Sequence, residues 1–275
     1  MPQLSAAQYG KDNIRVYKVQ KDKTTGKQDV TEMTVCVLLS GDIETSYTKA
    51  DNSVVVATDT MKQTTYITAK QNPVNPPELF GAILANHFVT KYSHIHTAQV
   101  KVKQHRWTRV VVKDQPHPHS FFRDSAETRN AEVVATKDKG ISIRSAVAGL
   151  LVLKSTGSAF HSFIHDEFTA LHDVEDRILS TEVDSGWTWN TFETVQEVES
   201  SVEKFDKAWK SARQITLDLF ATENSPSVQN TMYKMCEEIL AVVPEVNAVD
   251  YSLPNKHYFE IGEAPSTLSA LIMLI

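Results

Sequence analysis

Four of the ten histidines form two His-x-His pairs, His94/His96 and His117/His119. Alternate residues of an extended strand share a face, so each pair offers two imidazoles to one metal ion. A tight site needs further ligands, and no third stands out near either pair; the second pair also lies in a loop beside Pro116 and Pro118. A second concentration of candidate side chains runs from Leu151 to Arg177, LVLKSTGSAFHSFIHDEFTALHDVEDR. Leu151 and Leu153 alternate with Val152 as in a strand, and Gly157 breaks the extended pattern. Phe160, Phe163, Phe168 and Leu171 follow at helical or turn spacing, with Arg177 at the end. On residue types alone this is a strand followed by an amphipathic helix whose rings belong to the core. No glycine-rich phosphate loop, dinucleotide fingerprint or Gly-x-Ser-x-Gly elbow occurs in the sequence.

The elements that would position these residues alternate between two periodicities. Lys11 to Gln20 reads as a strand, Lys21 to Asp29 as a hairpin connection, and Thr31 to Leu39 as a returning, more apolar strand. A polar passage leads to Val54–Ala57, and Thr64 to Ala69 is a further β-prone run. Asn72-Pro73 and Pro76-Pro77 break the chain, and Pro77 suits a helix start carrying Leu79, Ile83, Leu84, Phe88 and Tyr92. Ile95 to Val112 returns to period two and suggests a long hairpin pair, with Gln115 to His119 as a loop. Glu132 to Ala135, a Lys-Asp-Lys-Gly turn and Ile141 to Lys154 restart the plan of strand, turn and longer strand. A strand near Ser180 to Asn190, helices over Val195 to Phe220 and Val228 to Val242, and a strand over Tyr251 to Ile261 complete it. Hairpins and helices recur in the same order, an approximate duplication in element order. Antiparallel hairpins with helices grouped on one face make an α+β fold.

Composition narrows the class. The chain of 275 residues suffices for one large domain or two ordinary ones, and 41% hydrophobic residues suffice for a sizeable core. A net charge of −6 argues against a nucleic-acid partner. No apolar run has the length of a bilayer span, the start lacks a basic-then-apolar leader, and the apolar tail Leu268 to Ile275 is too short to cross, so no membrane partner is expected. The two cysteines, Cys36 and Cys236, lie in apolar runs far apart, as two buried thiols in a reducing compartment would.

Four segments of the chain resemble urate oxidase (uricase). The first is Leu-Val-Leu-Lys-Ser-Thr with Phe160, Phe163 and Arg177. The others are Tyr9-Gly10-Lys11-Asp12-Asn13 with Arg15-Val16, Val56-Ala57-Thr58-Asp59-Thr60, and Tyr251-Ser252-Leu253-Pro254-Asn255-Lys256-His257-Tyr258-Phe259. Their spacing is collinear with that family from about Tyr9 to Glu260. The resemblance implies two tandem tunnelling-fold (T-fold) domains, residues 1–137 and 138–275, each an antiparallel sheet with helices on one face, with a tail from about 261 that departs from the family.

It also implies a chemistry. Lys11 and Thr58 match the family's proton-abstracting dyad, and His257 matches its third proton-handling group. By themselves these three would be a solvated strand end, a turn hydroxyl and a half-exposed histidine. Together they make sense: a desolvated lysine deprotonates more easily, a hydroxyl beside it relays the proton, and imidazole exchanges protons near neutrality. Substrate-holding positions fall on Asp59, Phe160, Arg177, Val228, Gln229 and Asn255. Urate is a flat anionic bicycle with polar edges. Arg177 offers a planar fork to one edge, Gln229 a donor and an acceptor to another, and Phe160 a ring for the face. Val228 and Asp59 act there through backbone N–H groups, and Asn255 lies above the ring where dioxygen or water binds. The implied reaction needs no cofactor, takes O2 as co-substrate, and occurs in a homotetramer in which Thr58 and Asp59 come from a neighbouring subunit.

The alternative expectation is a T-fold pseudoenzyme, or a purine- or pterin-binding protein, impaired by the altered C-terminus GEAPSTLSALIMLI. The family implies a peroxisomal location, but a Ser-Lys-Leu-type ending is absent here, which leaves a cytosolic location as the second expectation.

Overall fold

A computed structural model describes residues 3–256, 258–260 and 273–274. Strands β1 (Tyr9–Lys21) and β2 (Gln28–Gly41) form the opening hairpin. Its turn is held by Asp22, whose Oδ1 accepts from the N–H of Thr24 at 2.7 Å and of Thr25 at 3.0 Å. Helices α1 (Glu44–Thr48), α2 (Thr58–Gln71) and α3 (Pro77–Lys91) follow. Then come β3 (Ile95–His105), the side hairpin β4 (Thr108–Val112) and β5 (Gln115–Phe122), β6 (Thr128–Thr136), β7 (Gly140–Lys154) and β8 (Leu179–Trp189). The second helical group is α4 (Val195–Ser200), α5 (Val202–Thr222) and α6 (Val228–Val242). After it come β9 (Val246–Ser252), β10 (Asn255–Lys256), β11 (Phe259–Glu260) and β12 (Met273–Leu274).

The main sheet is antiparallel throughout, in the order β1-β2-β3-β6-β7-β8-β10, with β9 also paired to β8. Burial alternates along its strands. On β2, Met33, Val35, Val37 and Leu39 are fully buried while Thr34 and Cys36 between them are half-buried. The buried face meets Phe80, Leu84 and Phe88 of α3 and Phe205, Ala208 and Ala212 of α5 in one continuous core. The α+β architecture with helices on one sheet face thus follows from period two against period 3.6.

One polar network crosses that core. Glu78, at the start of α3 and fully buried, accepts from Arg129 of β6 at 3.0 Å and from the Ser145 hydroxyl of β7 at 2.7 Å. The Trp189 indole of β8 donates to the same hydroxyl, and Arg129 also reaches Asp206 of α5. A buried carboxylate is tolerated because each oxygen has a donor.

Several expected elements differ. The run Thr64 to Ala69 is not a strand but lies inside α2, where Met61, Thr65, Thr68 and Ala69 fall on one buried helical face; packing there overrides the β-branched preference. β3 does not pair with the strand after it; it lies between β2 and β6, and Gln115 to His119 is strand β5 rather than loop. Prolines 116 and 118 are accommodated because β5 has a partner on one side only, β4. No amphipathic helix follows Gly157: the segment to Arg177 is irregular, closed at its base by the bridge Phe160–Val174. The long helix over 195–220 is broken at Ser201 into α4 and α5. The strand expected over 251–261 instead ends at Ser252, with β10 and β11 beyond it. The departing tail from 261 lies outside the described residues except for 273–274, whose backbone pairs with β11.

Candidate active site

The chain leaves β7 through Lys154 and turns at Gly157, whose φ of +79° strains any side-chain-bearing residue. The turn is gripped from one side by Asp176, whose carboxylate accepts from the Thr156 hydroxyl, from the Gly157 N–H at 2.7 Å and from the Ser158 N–H at 3.4 Å. Led by the Thr156 hydroxyl and the Gly157 N–H, these donors hold the Asp176 carboxyl below the usual aspartate range. The Arg177 N–H donates to the Ser158 carbonyl at 2.8 Å. From the other side the turn meets the loop before α6: Ala159 N–H donates to Ser225 O at 2.9 Å, and Ser225 N–H to Gly157 O at 3.0 Å.

These bonds gather four of the expected residues. The Arg177 guanidinium carbon lies 4.9 Å from the centre of the Phe160 ring, a cation–π contact. Phe163 stacks behind Phe160 at 4.7 Å and His165 behind Phe163 at 4.4 Å. The Arg177 Nε is buried and has no hydrogen-bond partner among the described residues. Val228 and Gln229 are the first two residues of α6, capped by Ser227, whose hydroxyl accepts from Asn230 N–H at 3.1 Å. N–H groups in the first helical turn have no intrahelical acceptor, and the dipole there favours an anion. Asn255 is exposed on β10, opposite Thr181 of β8, whose hydroxyl donates to Pro254 O at 3.0 Å. The geometry sets the Arg177–Phe160 pair and the start of α6 against one turn, with Asn255 on β10 beside β8.

Lys11, Thr58 and Asp59 belong to a second region, joined through the chain around Tyr9 and Val56. Gly10 lies so close to β2 that a Cβ would sit 1.8 Å from the Val37 carbonyl oxygen, which makes glycine obligatory beside Lys11. Lys11 is exposed, at the edge of a bulge spanning Lys11 to Ile14. The Tyr9 hydroxyl accepts from the Val56 N–H at 2.7 Å, which ties the chain two residues before Lys11 to the chain two residues before Thr58. Burial pushes the Tyr9 phenol up, against the lowering hydrogen bond from Val56, so it stays neutral near pH 7. Thr58 and Asp59 open α2, and Asp59 pairs with Lys62 at 2.5 Å. His257 lies outside the described residues.

The two clusters occupy diagonally opposite corners of the sheet. β1 and β8 are five strand steps apart, about 24 Å at ~4.8 Å each. The row through Lys11 passes Val37, Val100, Val133 and Ile143, and the next pair, Arg144 and Thr188, lies at the far end of β8 from Leu179. One chain therefore cannot close both clusters on one small molecule.

Elsewhere the histidine pairs make no metal site. The His117 and His119 rings meet edge to face at 4.6 Å, His96 pairs with Asp42, and no group of three or more His, Cys, Asp or Glu side chains suited to a metal occurs among the described residues. Cys36 and Cys236 are free thiols. Sequence reasoning missed Tyr9, Asp176 and Ser225 as organising residues. The first two stand inside the quoted segments, two residues from Lys11 and next to Arg177, while nothing local marked Ser225.

A family model described as Uricase matches residues 7–134 and 143–268. Among the relatives, the chain is 62% identical over 261 residues to a uricase of Aspergillus flavus, covering 95% of this chain and 86% of that protein. It is 47% identical over 263 residues to a uricase of Schizosaccharomyces pombe, covering 96% of this chain and 88% of that one. The crystal structure of a uricase from Arthrobacter globiformis superposes with a TM-score of 0.84 at 33% identity, covering 100% of this chain and 94% of that one.

Proposed function

Because this chain belongs to the uricase family, we propose that it oxidises urate with molecular oxygen and water, giving 5-hydroxyisourate and hydrogen peroxide, with no metal, flavin or haem. The observation that supports this most is the Arg177–Phe160 pair beside the N-terminus of α6. A urate anion laid against Phe160 would present one edge to Arg177 and another to Gln229 and the Val228 N–H. Binding an electron-rich anion this way orients it without neutralising it, which is what electron loss to dioxygen requires.

Lys11 and Thr58 would take a proton from bound urate, and the resulting dianion would pass two electrons to O2, which becomes H2O2 by taking up that proton and the one released as water adds. Water would then add to the dehydrourate carbon, its proton passing through Thr58, with Asn255 and His257 holding the water. Lys11 is exposed in a single chain, so the desolvation that eases its deprotonation would come from a second copy. Two copies related by a two-fold axis set the Lys11 corner of each against the Arg177 corner of the other and complete two equivalent sites. Stacking two such dimers gives the homotetramer of the family.

The test is the loss of urate absorbance in metal-stripped protein with and without oxygen. Aerobic turnover with hydrogen peroxide formed in equal amount is expected. A strict requirement for added metal would remove the cofactor-free reading, and ligand binding without turnover would favour a pseudoenzyme.

A further inference from the structure

We propose that Asp176 is a positioning residue for the substrate pocket: it holds the turn Thr156–Ser158 so that Arg177 and Phe160 are fixed against each other and against α6. The proposal rests on the reading of Arg177 and Phe160 as the urate-binding pair. Its geometry is specific. The neighbouring Glu175 side chain is 87% exposed and, among the described residues, reaches only His161, at 3.9 Å. The Asp176 carboxylate instead turns back onto the chain and collects three donors from three consecutive residues. Thr156, Gly157 and Ser158 are also the residues through which the site is assembled: Ser158 O receives the Arg177 N–H, and Gly157 O receives the N–H of Ser225, two residues before the cap of α6. One carboxylate therefore fixes the common anchor of the guanidinium, the ring and the helix end.

Gly157 itself has room; a Cβ there would meet nothing nearer than Asn224 Oδ1 at 4.0 Å. The turn is thus held by hydrogen bonds, those accepted by Asp176 on one side and those exchanged with Ser225 on the other, rather than by surrounding bulk. The loop from 159 to 176 is closed independently by the Phe160–Val174 pair, whose two backbone bonds measure 2.7 and 2.9 Å. Loss of the carboxylate leaves that closure intact, so it loosens the pocket without unfolding the loop. The carboxylate's three donors all belong to the turn, so the aspartate acts through Arg177.

The experiment is steady-state urate oxidation by the full-length protein and by Asp176→Ala and Asp176→Asn, with thermal unfolding alongside. Asp176→Ala is expected to raise KM for urate about tenfold with kcat within about twofold, the signature of lost uniform binding. Asp176→Asn keeps an oxygen for the Gly157 N–H and is expected to recover most of that loss, and Tm is expected to move by no more than about 2 °C in either variant. An unchanged KM in Asp176→Ala, a fall in kcat with KM held, or an Asn variant as impaired as the Ala variant overturns the proposal. A wild-type protein that consumes no urate refutes the urate reading itself, and this proposal with it. That result is distinct from an active wild type indifferent to Asp176.

Discussion

Lys11 lies on β1 and Arg177 just before β8, so the two stand beside opposite corners of one continuous sheet, five strand steps apart across it and at opposite ends along it. If a dyad at one corner serves a binding pair at the other, the two must meet between copies. Lys11→Ala and Arg177→Ala proteins, each inactive alone, are then expected to regain activity when refolded together. In a mixed dimer one of the two sites receives both intact residues, so random pairing restores up to about a quarter of wild-type activity. Mixtures that stay as inactive as their parents would place both residues in one chain's site and refute the shared pocket.

In the proposed function Arg177 supplies the positive charge that meets the urate anion. Arg177→Ala removes a forked, charge-assisted contact worth about 3 kcal/mol, so kcat/KM for urate is expected to fall by roughly 100-fold. Arg177→Lys keeps the charge but loses the planar fork over Phe160, and is expected to recover only a small part of it. Equal activity of Lys and wild type would show that charge alone suffices.

The buried carboxylate of Glu78 makes a strong stability prediction. Arg129→Met leaves the buried Glu78 carboxylate with Ser145 as its one remaining donor among the described residues. A destabilisation of about 3–5 kcal/mol is expected in urea unfolding. The double variant Arg129→Met, Glu78→Leu should recover much of it, since an apolar replacement of both partners removes the stranded charge. A single variant as stable as wild type would mean that water reaches Glu78.

Glu32 sets an acid limit for the side hairpin. Burial pushes its carboxyl up, but the Trp107 indole at 2.9 Å, Arg15 at 3.1 Å and the charge of Arg123 outweigh burial and leave it below the ordinary glutamate range. A depressed carboxyl stabilises above its unfolded value and loses that contribution as pH falls through the folded one. Because Trp107 and Arg123 flank β4 and β5, the hairpin should detach first as pH falls below the ordinary glutamate range. Pepsin cleavage between 107 and 123 should then precede general digestion, and Glu32→Gln should shift that onset to higher pH. Uniform digestion would contradict this order.

The legible and illegible parts of the structure divide by range. Pro77 starts α3 and Gly157 turns the chain, as their own backbone preferences dictate. The β-branched run near Thr65 misled because one buried helical face decided its conformation, and that face is created by β1 and α3. The side hairpin was misjudged because nothing near Val102 says that its partners lie in β2 and β6, one earlier and one later in the chain. For the site, residue types gave Arg177, Phe160 and Gln229 through the family pattern. Their placement depended on Ser225 and Asp176, whose bonds run across tens of residues. The corner-to-corner separation of Lys11 and Arg177 is a property of strand order, which no single segment encodes.

The buried ion network has a bearing on how the chain can be divided. The turn Lys137–Lys139 looks like a natural place to cut, yet Glu78 and Arg129 lie before it while Ser145, Trp189 and Asp206 lie after it. Two fragments made there would each carry unmatched polar groups into water and would fold only by finding one another. A circular permutant opened at the same exposed turn keeps every partner on one polypeptide. The repeat in the order of elements is thus crossed by one buried polar network that draws its partners from both halves.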